Sequence, residues 1–359
     1  MLNVSDGVYV ARGYNRDNPV LIEGTDGLIV IDPGESIIAA EIVKKAFNDS
    51  LDNIFDRKPA KAIIYTHHHD CHIHGASVFA GNNSTEIIAS ENFNQTLFAD
   101  WFGQLFPGRA IGGGMMSGAL FGRDPGYDSG GPLFAVQWRG PSGYMPPTIT
   151  VKDSMDINIS GVRLNLFTVP GETRDVLVVW LPEKKLMVQI ANFYEAFPAI
   201  TTLRGAYPRD PLSYIDSIDF YRSLNAEYLV LCHGPHPILK GAENISRELT
   251  NYRDAIQFIH DQTVQYMNRG LTPGCLPIWQ KILICSRLTA RLTGTYTRYS
   301  GGIGDTLQED AETFIRILPK MRLKWQWSLL GELRSLLTKP GRPWMKGKRN
   351  GRLSLLMMS

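Results

Sequence analysis

The sequence predicts an α/β fold in which two β-sheets pack together and helices cover their outer faces. Short apolar, β-branched runs are followed by runs of helical periodicity, and this succession occurs twice, as in layered α/β domains. Of the 359 residues, 20% are charged and 43% are hydrophobic, which is typical of folded, soluble proteins.

The first succession occupies about the first hundred residues. Residues 7–12, 19–23 and 27–32 are apolar strand candidates separated by Gly, Asn and Asp, as in hairpins. Apolar residues recur at helical spacing over 36–48, with a serine near the start. The remaining predicted elements are a buried strand, a further strand and a helix, at 61–66, 86–89 and 90–106.

The second succession follows a long segment, 107–145, that is rich in glycine and aromatic residues and has no clear periodicity. Loops of that length are usually functional or disordered, and this one either shapes an apolar pocket or is a variable insertion. The strands predicted after it are 149–152, 156–159, 162–169, 176–181, 185–190 and 227–231. The predicted helices are 211–224 and 244–269.

Charge is distributed unevenly along the chain. Residues 276–359 contain 15 Lys or Arg and 5 Asp or Glu, whereas residues 1–275 contain 22 and 30. The basic part also lacks periodicity, so we interpret it as a divergent tail. It matches no nucleic-acid-binding module, and we expect no nucleic-acid partner.

Several classes of protein are excluded by simple patterns. No apolar run reaches about 18 residues, so we expect no membrane span. The N-terminus shows no secretory signal, which makes a cytoplasmic location the default expectation. Four cysteines in this length do not form a disulfide framework.

Five of the eight histidines lie between positions 67 and 74, directly after the strand predicted at 61–66. His67, His69 and His72 have the spacing to reach one point from a tight turn, and imidazole is a good zinc ligand. The internal position and the preceding apolar strand argue against a histidine tag. The pattern predicts a metal site, with a purely structural cluster as the alternative.

The run THHHDCHIHGASVF (66–79), preceded by a strand ending in Asp32-Pro33-Gly34, resembles the ligand motif of the metallo-β-lactamase superfamily. Later stretches are similar to the alkyl sulfatase branch: VPGETRDVLVVWLPEKK (169–185), NFYEAFPAITTLRGAYPRD (192–210), LCHGPHPILKGAENI (231–245) and YRDAIQFIHDQTVQYMNRGLTP (252–273). The resemblance implies an αββα sandwich over 1–242 and a truncated helical segment over 243–275, the start of a dimerisation domain. The divergent tail then occupies 276–359.

The resemblance also implies two metal sites. The first takes His67, His69 and an acidic residue that follows a Pro-Gly pair. Glu172 and Asp175 are the candidates for that acidic residue. We favour Asp175, because it directly precedes a predicted strand.

The second site takes Cys71, His72 and His233, at the positions of a family Asp and two His. A cysteine thiolate also binds zinc well, although a buried thiol without a role is the alternative. Asp70 lies one place early, and it and Cys71 are the candidate catalytic residues. Ala191 replaces the carboxylate that bridges the two metals in the family, so we expect one zinc ion, with a doubtful second site.

The implied function is zinc-dependent hydrolysis of an alkyl sulfate or a similar anionic ester by metal-bound hydroxide. Arg204 and Arg209 are candidate sulfate ligands, because a guanidinium fork matches anionic oxygens, and a surface salt bridge is the alternative. Asn192 is a further candidate for substrate binding. We also expect a homodimer, provided that the truncated helical segment suffices.

Two alternative functions remain open at this point. The first is a degenerate, non-catalytic protein with a binding or scaffold role, which Cys71, Ala191 and the short C-terminus favour. The second is a phosphodiesterase or nuclease of the same fold, which would need only the superfamily motif.

Overall fold

The computed structural model describes residues 1–270 except for 16, 82–83, 103–140, 190, 195–197, 199–208 and 235. Most of the long 107–145 segment and all of the basic tail at 276–359 therefore lie outside the described residues. Within the described part, the predicted succession of strands and helices is confirmed.

The first sheet has seven strands that neighbour one another in chain order. They are β1 (Leu2–Ser5), β2 (Val8–Val10), β3 (Val20–Glu23), β4 (Leu28–Ile31), β5 (Ala60–Ile64), β6 (Glu86–Ser90) and β7 (Ile149–Val151). Strands β1 to β4 form antiparallel pairs, and β4 to β7 form parallel pairs. The carboxyl ends of β4 and β5 therefore lie at one edge of the sheet.

The second sheet has six strands in the order β13-β12-β11-β10-β9-β8. They are β8 (Ser154–Ile159), β9 (Val162–Thr168), β10 (Leu177–Leu181), β11 (Leu186–Gln189), β12 (Tyr228–Leu231) and β13 (Ile238–Lys240). Only the β11–β12 pair is parallel in this sheet; the other pairs are antiparallel. A parallel pair needs a crossover, and the chain between β11 and β12 contains a helix.

The helices of the described residues are α1 (Ile37–Ser50), α2 (Ile54–Arg57), α3 (Asp70–Ile73), α4 (Ala76–Phe79), α5 (Phe93–Phe102), α6 (Pro211–Ser223) and α7 (Ala242–Met267). Helix α1 begins after Ser36, whose hydroxyl accepts a hydrogen bond from the amide of Ala39. Asp210 caps α6 in the same way, and Pro211 occupies its first turn. None of the described helices is both long enough and apolar enough to cross a bilayer.

The central strand β4 shows how the layers are built. Successive side chains of a strand point to opposite faces, and all four residues of β4 are buried. Ile29 and Ile31 face the core between the two sheets, whereas Leu28 and Val30 pack with α1 on the outer face. Both faces of the first sheet are therefore covered.

The second sheet is covered in the same manner. Val188 and Val230 face the core between the sheets, and Met187 and Leu229 face a cluster formed with α6 and α7. The first half of α7 contributes Ile245, Leu249, Tyr252 and Ile256 to that cluster. The predicted αββα sandwich is confirmed.

Candidate metal centre

The histidine motif follows β5, and its later part forms helix α3 (Asp70–Ile73) rather than an open turn. The helix directs Cys71 and His72 inward, where both side chains are buried together with His67. Asp70 lies on the outer side, nearly half exposed, with its Oδ1 at 3.6 Å from His74 Nε2. The structure therefore separates the two candidate catalytic residues of this helix.

A first group of potential ligands consists of His67, His69 and Glu172. His67 Nε2 lies 2.7 Å from His69 Nδ1 and 3.9 Å from Glu172 Oε2. Two zinc–nitrogen bonds of about 2.0 Å that meet at a tetrahedral angle place their nitrogens about 3.3 Å apart. The two imidazoles and the carboxylate therefore suit a metal ion in donor type, and their ligand atoms lie within 4.8 Å of one another, although the two nitrogens are closer than in a tetrahedral site.

A second group consists of Cys71, His72 and His233, whose ligand atoms all lie within 4.8 Å of one another. His72 Nε2 and His233 Nε2 are 3.1 Å apart. The two groups are neighbours, because the rings of His67 and His72 have centroids separated by 4.4 Å. A sulfur and two imidazole nitrogens form a donor set typical of zinc.

Asp175, which the sequence favours as the acidic ligand of the first group, lies elsewhere. Its fully buried carboxylate accepts a hydrogen bond of 2.8 Å from the backbone amide of His68 and lies 3.0 Å from His68 Nδ1. Asp175 lies two residues before β10 and faces the start of the motif from the second sheet. The acidic residue beside His67 and His69 is instead Glu172.

Two residues that the sequence suggests for substrate binding, Arg209 and Asn192, contact Glu172. Arg209 is buried and forms an ion pair with Glu172 Oε1. Burial disfavours the charged guanidinium, but Glu172 outweighs this effect and raises the pKa of Arg209. Asn192 is fully buried; its Oδ1 accepts a hydrogen bond from the Glu172 amide, and its Nδ2 donates to Val169 and Tyr221. Arg204 lies outside the described residues.

Behind the second group, Asp32 follows β4 with a left-handed backbone, at a φ of 53°. Its carboxylate accepts hydrogen bonds from the amide and the hydroxyl of Thr66, and its Oδ2 lies 3.0 Å from His72 Nδ1. A second buried carboxylate, Asp17, approaches the same nitrogen at 3.5 Å. Sequence reasoning missed Asp17, because no motif or periodicity distinguishes it within its loop.

These contacts shift the pKa values of the buried groups in the metal-free protein. Burial disfavours a charge on His72, but the Cys71 thiol and the Asp32 carboxylate outweigh burial and raise its pKa. Burial lowers the pKa of His67, and the neighbouring His72 lowers it further. Burial also raises the pKa of Asp17.

Ala191 is almost fully buried and packs in the core between the sheets, directly before Asn192. Its methyl group offers no donor atom. The two ligand groups therefore have no carboxylate from this position to bridge them.

Comparison with known proteins places this site in a family. The family model described as the metallo-beta-lactamase superfamily matches residues 15–233. A linear primary-alkylsulfatase from a Pseudomonas species is 34% identical over 260 residues, which cover 70% of this chain and 48% of that protein. A second linear primary-alkylsulfatase from Pseudomonas is 27% identical over 285 residues, which cover 76% of this chain and 41% of that protein.

Among solved structures, the stereoselective inverting sec-alkylsulfatase from a Pseudomonas species is similar, with a TM-score of 0.65 and 22% identity. The similarity covers 76% of this chain and 44% of the other, and it shows the shared fold. The chain spans less than half the length of each of these three relatives. The match over residues 15–233, the four-layer fold and the two ligand groups together show that this chain belongs to the metallo-β-lactamase superfamily, whose fold implies metal binding, and that it is similar to alkylsulfatases.

Proposed function

We propose that the protein is a zinc-dependent hydrolase that cleaves an alkyl sulfate or a similar anionic ester. The observation that carries this proposal is the convergence of two adjacent ligand groups, each drawing donors from both sheets. The alkylsulfatase relatives favour a sulfate ester as the substrate class.

The residues that would hold zinc are His67, His69 and Glu172 in the first group, and Cys71, His72 and His233 in the second. Zinc in such a site supplies Lewis acidity and makes hydroxide available near neutral pH. Because Ala191 supplies no carboxylate to bridge two ions, we expect one tightly bound ion and a weaker second one.

The surrounding residues of this chain hold the ligands in place. Asp32 contacts the ring of His72, and a carboxylate in such a position fixes the orientation of an imidazole. Asp175 accepts a hydrogen bond from the backbone amide of His68, which lies between the ligands His67 and His69. Arg209 holds one oxygen of Glu172, so the other remains directed towards His67. We therefore propose that Arg209 and Asn192 position Glu172, and that Arg204 remains the candidate for binding the sulfate group.

A degenerate protein without catalytic activity is the second candidate. The observation that favours it is the loss of two carboxylate ligands, at Cys71 and Ala191. Such a protein would retain the fold and bind metal weakly, but it would not turn over esters.

The decisive experiment measures zinc per chain and sulfate release from a medium-chain alkyl sulfate, with a phosphodiester assayed in parallel. We expect bound zinc and sulfate release in the wild type, and in His67→Ala we expect loss of activity together with loss of the zinc held by the first group. The matched control is His260→Ala, since His260 lies on α7 and contacts Asp261 rather than the ligand groups.

Each alternative predicts a different result in this experiment. Bound zinc without turnover of either ester supports the degenerate protein. Turnover of the phosphodiester alone supports the phosphodiesterase or nuclease alternative. A protein that binds no zinc contradicts the proposed function.

The domain limits and the homodimer also stay proposals. We propose residues 1–242 as the catalytic unit and 243–275 as the beginning of a dimerisation segment, whose first residues pack against the second sheet as part of α7. Sedimentation of the full chain measures its oligomeric state, and a monomer at all concentrations would contradict the homodimer.

A further inference from the structure

The loop between β2 and β3 lies beside both histidines of the second ligand group. It contacts the ring of His72 and the backbone on either side of His233. Three of its residues, Asn15, Asp17 and Asn18, are polar and almost fully buried. Buried polar side chains are costly unless they make specific contacts. These three residues are called the inner loop below.

Asn18 binds the chain on both sides of His233. Its backbone amide donates a 2.7 Å hydrogen bond to the carbonyl of Cys232. Its side-chain amide donates to the carbonyl of Gly234 at 3.0 Å and reaches that of Leu231 at 3.4 Å. Asn18, which lies between two strands of the first sheet, thus holds the loop that follows β12 in the second sheet.

Asp17 lies behind His72. Its Oδ2 is 3.5 Å from His72 Nδ1, while the opposite ring nitrogen, Nε2, lies 3.1 Å from His233 Nε2. Asp17 Oδ1 accepts a hydrogen bond from the Asn15 side chain, whereas Oδ2 has no hydrogen-bond partner among the described residues. The buried oxygen is therefore directed at the ring of His72.

His72 and His233 follow strands of different sheets, so only non-covalent contacts hold the two rings at their separation. His72 belongs to the motif after β5, and His233 follows β12. Asp32 already contacts His72 Nδ1, but its two oxygens also accept hydrogen bonds from Thr66. The inner loop is the described segment that contacts the His72 ring and also hydrogen-bonds to the backbone on both sides of His233.

We propose that the inner loop positions the second ligand group, with Asp17 orienting His72 and Asn18 orienting His233. This inference rests on the proposed function, because it presumes that Cys71, His72 and His233 bind a metal ion. Both are proposed as positioning residues for that group, since neither is among its three ligands; Asp17 also lies with Asp32 and His72 in a third cluster of buried groups that could hold an ion. Removing such a carboxylate or amide typically weakens metal affinity about 10- to 100-fold.

The test uses the full chain with Co²⁺ in place of zinc. A thiolate ligand gives cobalt a charge-transfer absorption, so this band reports the group that contains Cys71, and Cys71→Ser should abolish it. Cobalt that binds without the band reports His67, His69 and Glu172. The two ligand groups can thus be titrated separately in one sample.

The decisive variant is Asp17→Asn, which preserves the size of the side chain. We expect the cobalt concentration that half-saturates the thiolate band to rise about 10- to 100-fold, while binding without the band changes less than twofold. Asn18→Ala should weaken the same band. The matched control is Asp26→Asn, because Asp26 is an exposed carboxylate in the neighbouring β3–β4 turn and should leave both titrations unchanged.

Thermal unfolding of the metal-free variants separates positioning from a general structural role. We expect Asp17→Asn to unfold at the wild-type temperature or above, because it removes a buried acidic group. Equal weakening of both cobalt titrations, or an unfolding temperature well below that of Asp26→Asn, overturns the inference. An unchanged thiolate band overturns it too but leaves the proposed function intact, whereas a wild type without any thiolate band overturns both.

Discussion

The ion pair between Arg209 and Glu172 lies beside the first ligand group. Both side chains are largely buried, at 5% and 11% exposed, and Glu172 also faces His67. If either side chain lost its partner, the remaining charge would be buried and poorly solvated. The pair therefore contributes to folding as well as to the geometry of the site.

We predict that Arg209→Met lowers the free energy of unfolding by about 3–5 kcal/mol, because it leaves Glu172 buried and uncompensated. Urea unfolding of the metal-free protein measures the change. The matched control is Arg163→Met, whose pair with Asp156 is exposed and should contribute at most about 1 kcal/mol. If the two variants unfold alike, Arg209 is not held by Glu172 and is available to bind the sulfate, as the sequence alone suggests.

The two lost carboxylates at positions 71 and 191 lead to a second residue-scale prediction. The double variant Cys71→Asp with Ala191→Glu should bind more zinc per chain and release sulfate faster than the wild type, because it restores the acidic ligands of the family pattern. Zinc content and the rate of sulfate release measure the effect, and each single variant serves as a control.

The burial of Ala191 affects the stability of the double variant. Ala191 is 1% exposed in the core between the sheets, so a glutamate there is unfavourable unless a metal ion binds it. The double variant should therefore gain more thermal stability from zinc than the wild type does. A variant that folds but gains neither zinc nor turnover would show that the chain has lost more than its ligands.

The individual ligands differ in how far the sequence predicts them. His67, His69 and His72 follow from spacing within one short run, because their geometry is set locally by β5 and α3. The choice between Glu172 and Asp175 depends on the path of a loop, and spacing does not determine it. That path is fixed by Asn192, a residue 20 positions later that binds the Glu172 amide.

At the scale of elements, long segments are predictable and short ones are not. Helix α1 is predicted at 36–48 and observed at Ile37–Ser50, because five buried residues recur along one face. Strands β1 and β13 were not predicted, and each lies at an edge of its sheet with only three or four residues. Helices α2, α3 and α4 have four residues each, which is too short to show a helical period.

Helix α1 depends on its N-terminal cap, Ser36, which follows the Asp32 turn at the end of β4. Ser36 is fully buried, and its hydroxyl accepts the amide hydrogen bond of Ala39 at 3.1 Å. We predict that Ser36→Ala lowers the free energy of unfolding by about 1 kcal/mol, because the first turn of the helix loses its acceptor. Urea unfolding measures this change, and the exposed Ser84→Ala is the control. Equal stability of the two variants would contradict a capping role for Ser36.

At the scale of the whole molecule, the two sheets meet at the ligands. The first sheet supplies the motif after β5, and the second supplies Glu172 before β10 and His233 after β12. In the sequence, the histidine motif alone indicates the metallo-β-lactamase superfamily. The resemblance to alkyl sulfatases depends on the stretches between residues 169 and 273. The sequence does not predict how the two sheets are joined at the site. Contacts such as that of Asn18 with Cys232 link residues more than 200 positions apart.

This architecture predicts that metal binding holds the two sheets together and stabilises the fold. A ligand that binds only the folded protein, at 100 times its Kd, raises the free energy of unfolding by about 2.7 kcal/mol. We expect zinc to produce a shift of this size in thermal unfolding, and chelation to reverse it. Mg²⁺ is the control ion, since it prefers oxygen ligands and six-fold coordination and should shift the transition little.

The variant His233→Ala tests whether the second sheet takes part in that stabilisation. It removes the ligand of the second group that follows β12, and it leaves the first group intact. The zinc-dependent increase in stability should therefore fall but not vanish, because His67, His69 and Glu172 still connect the two sheets. An increase equal to that of the wild type would mean that the second group binds no zinc, and complete loss would mean that the first group does not bind independently.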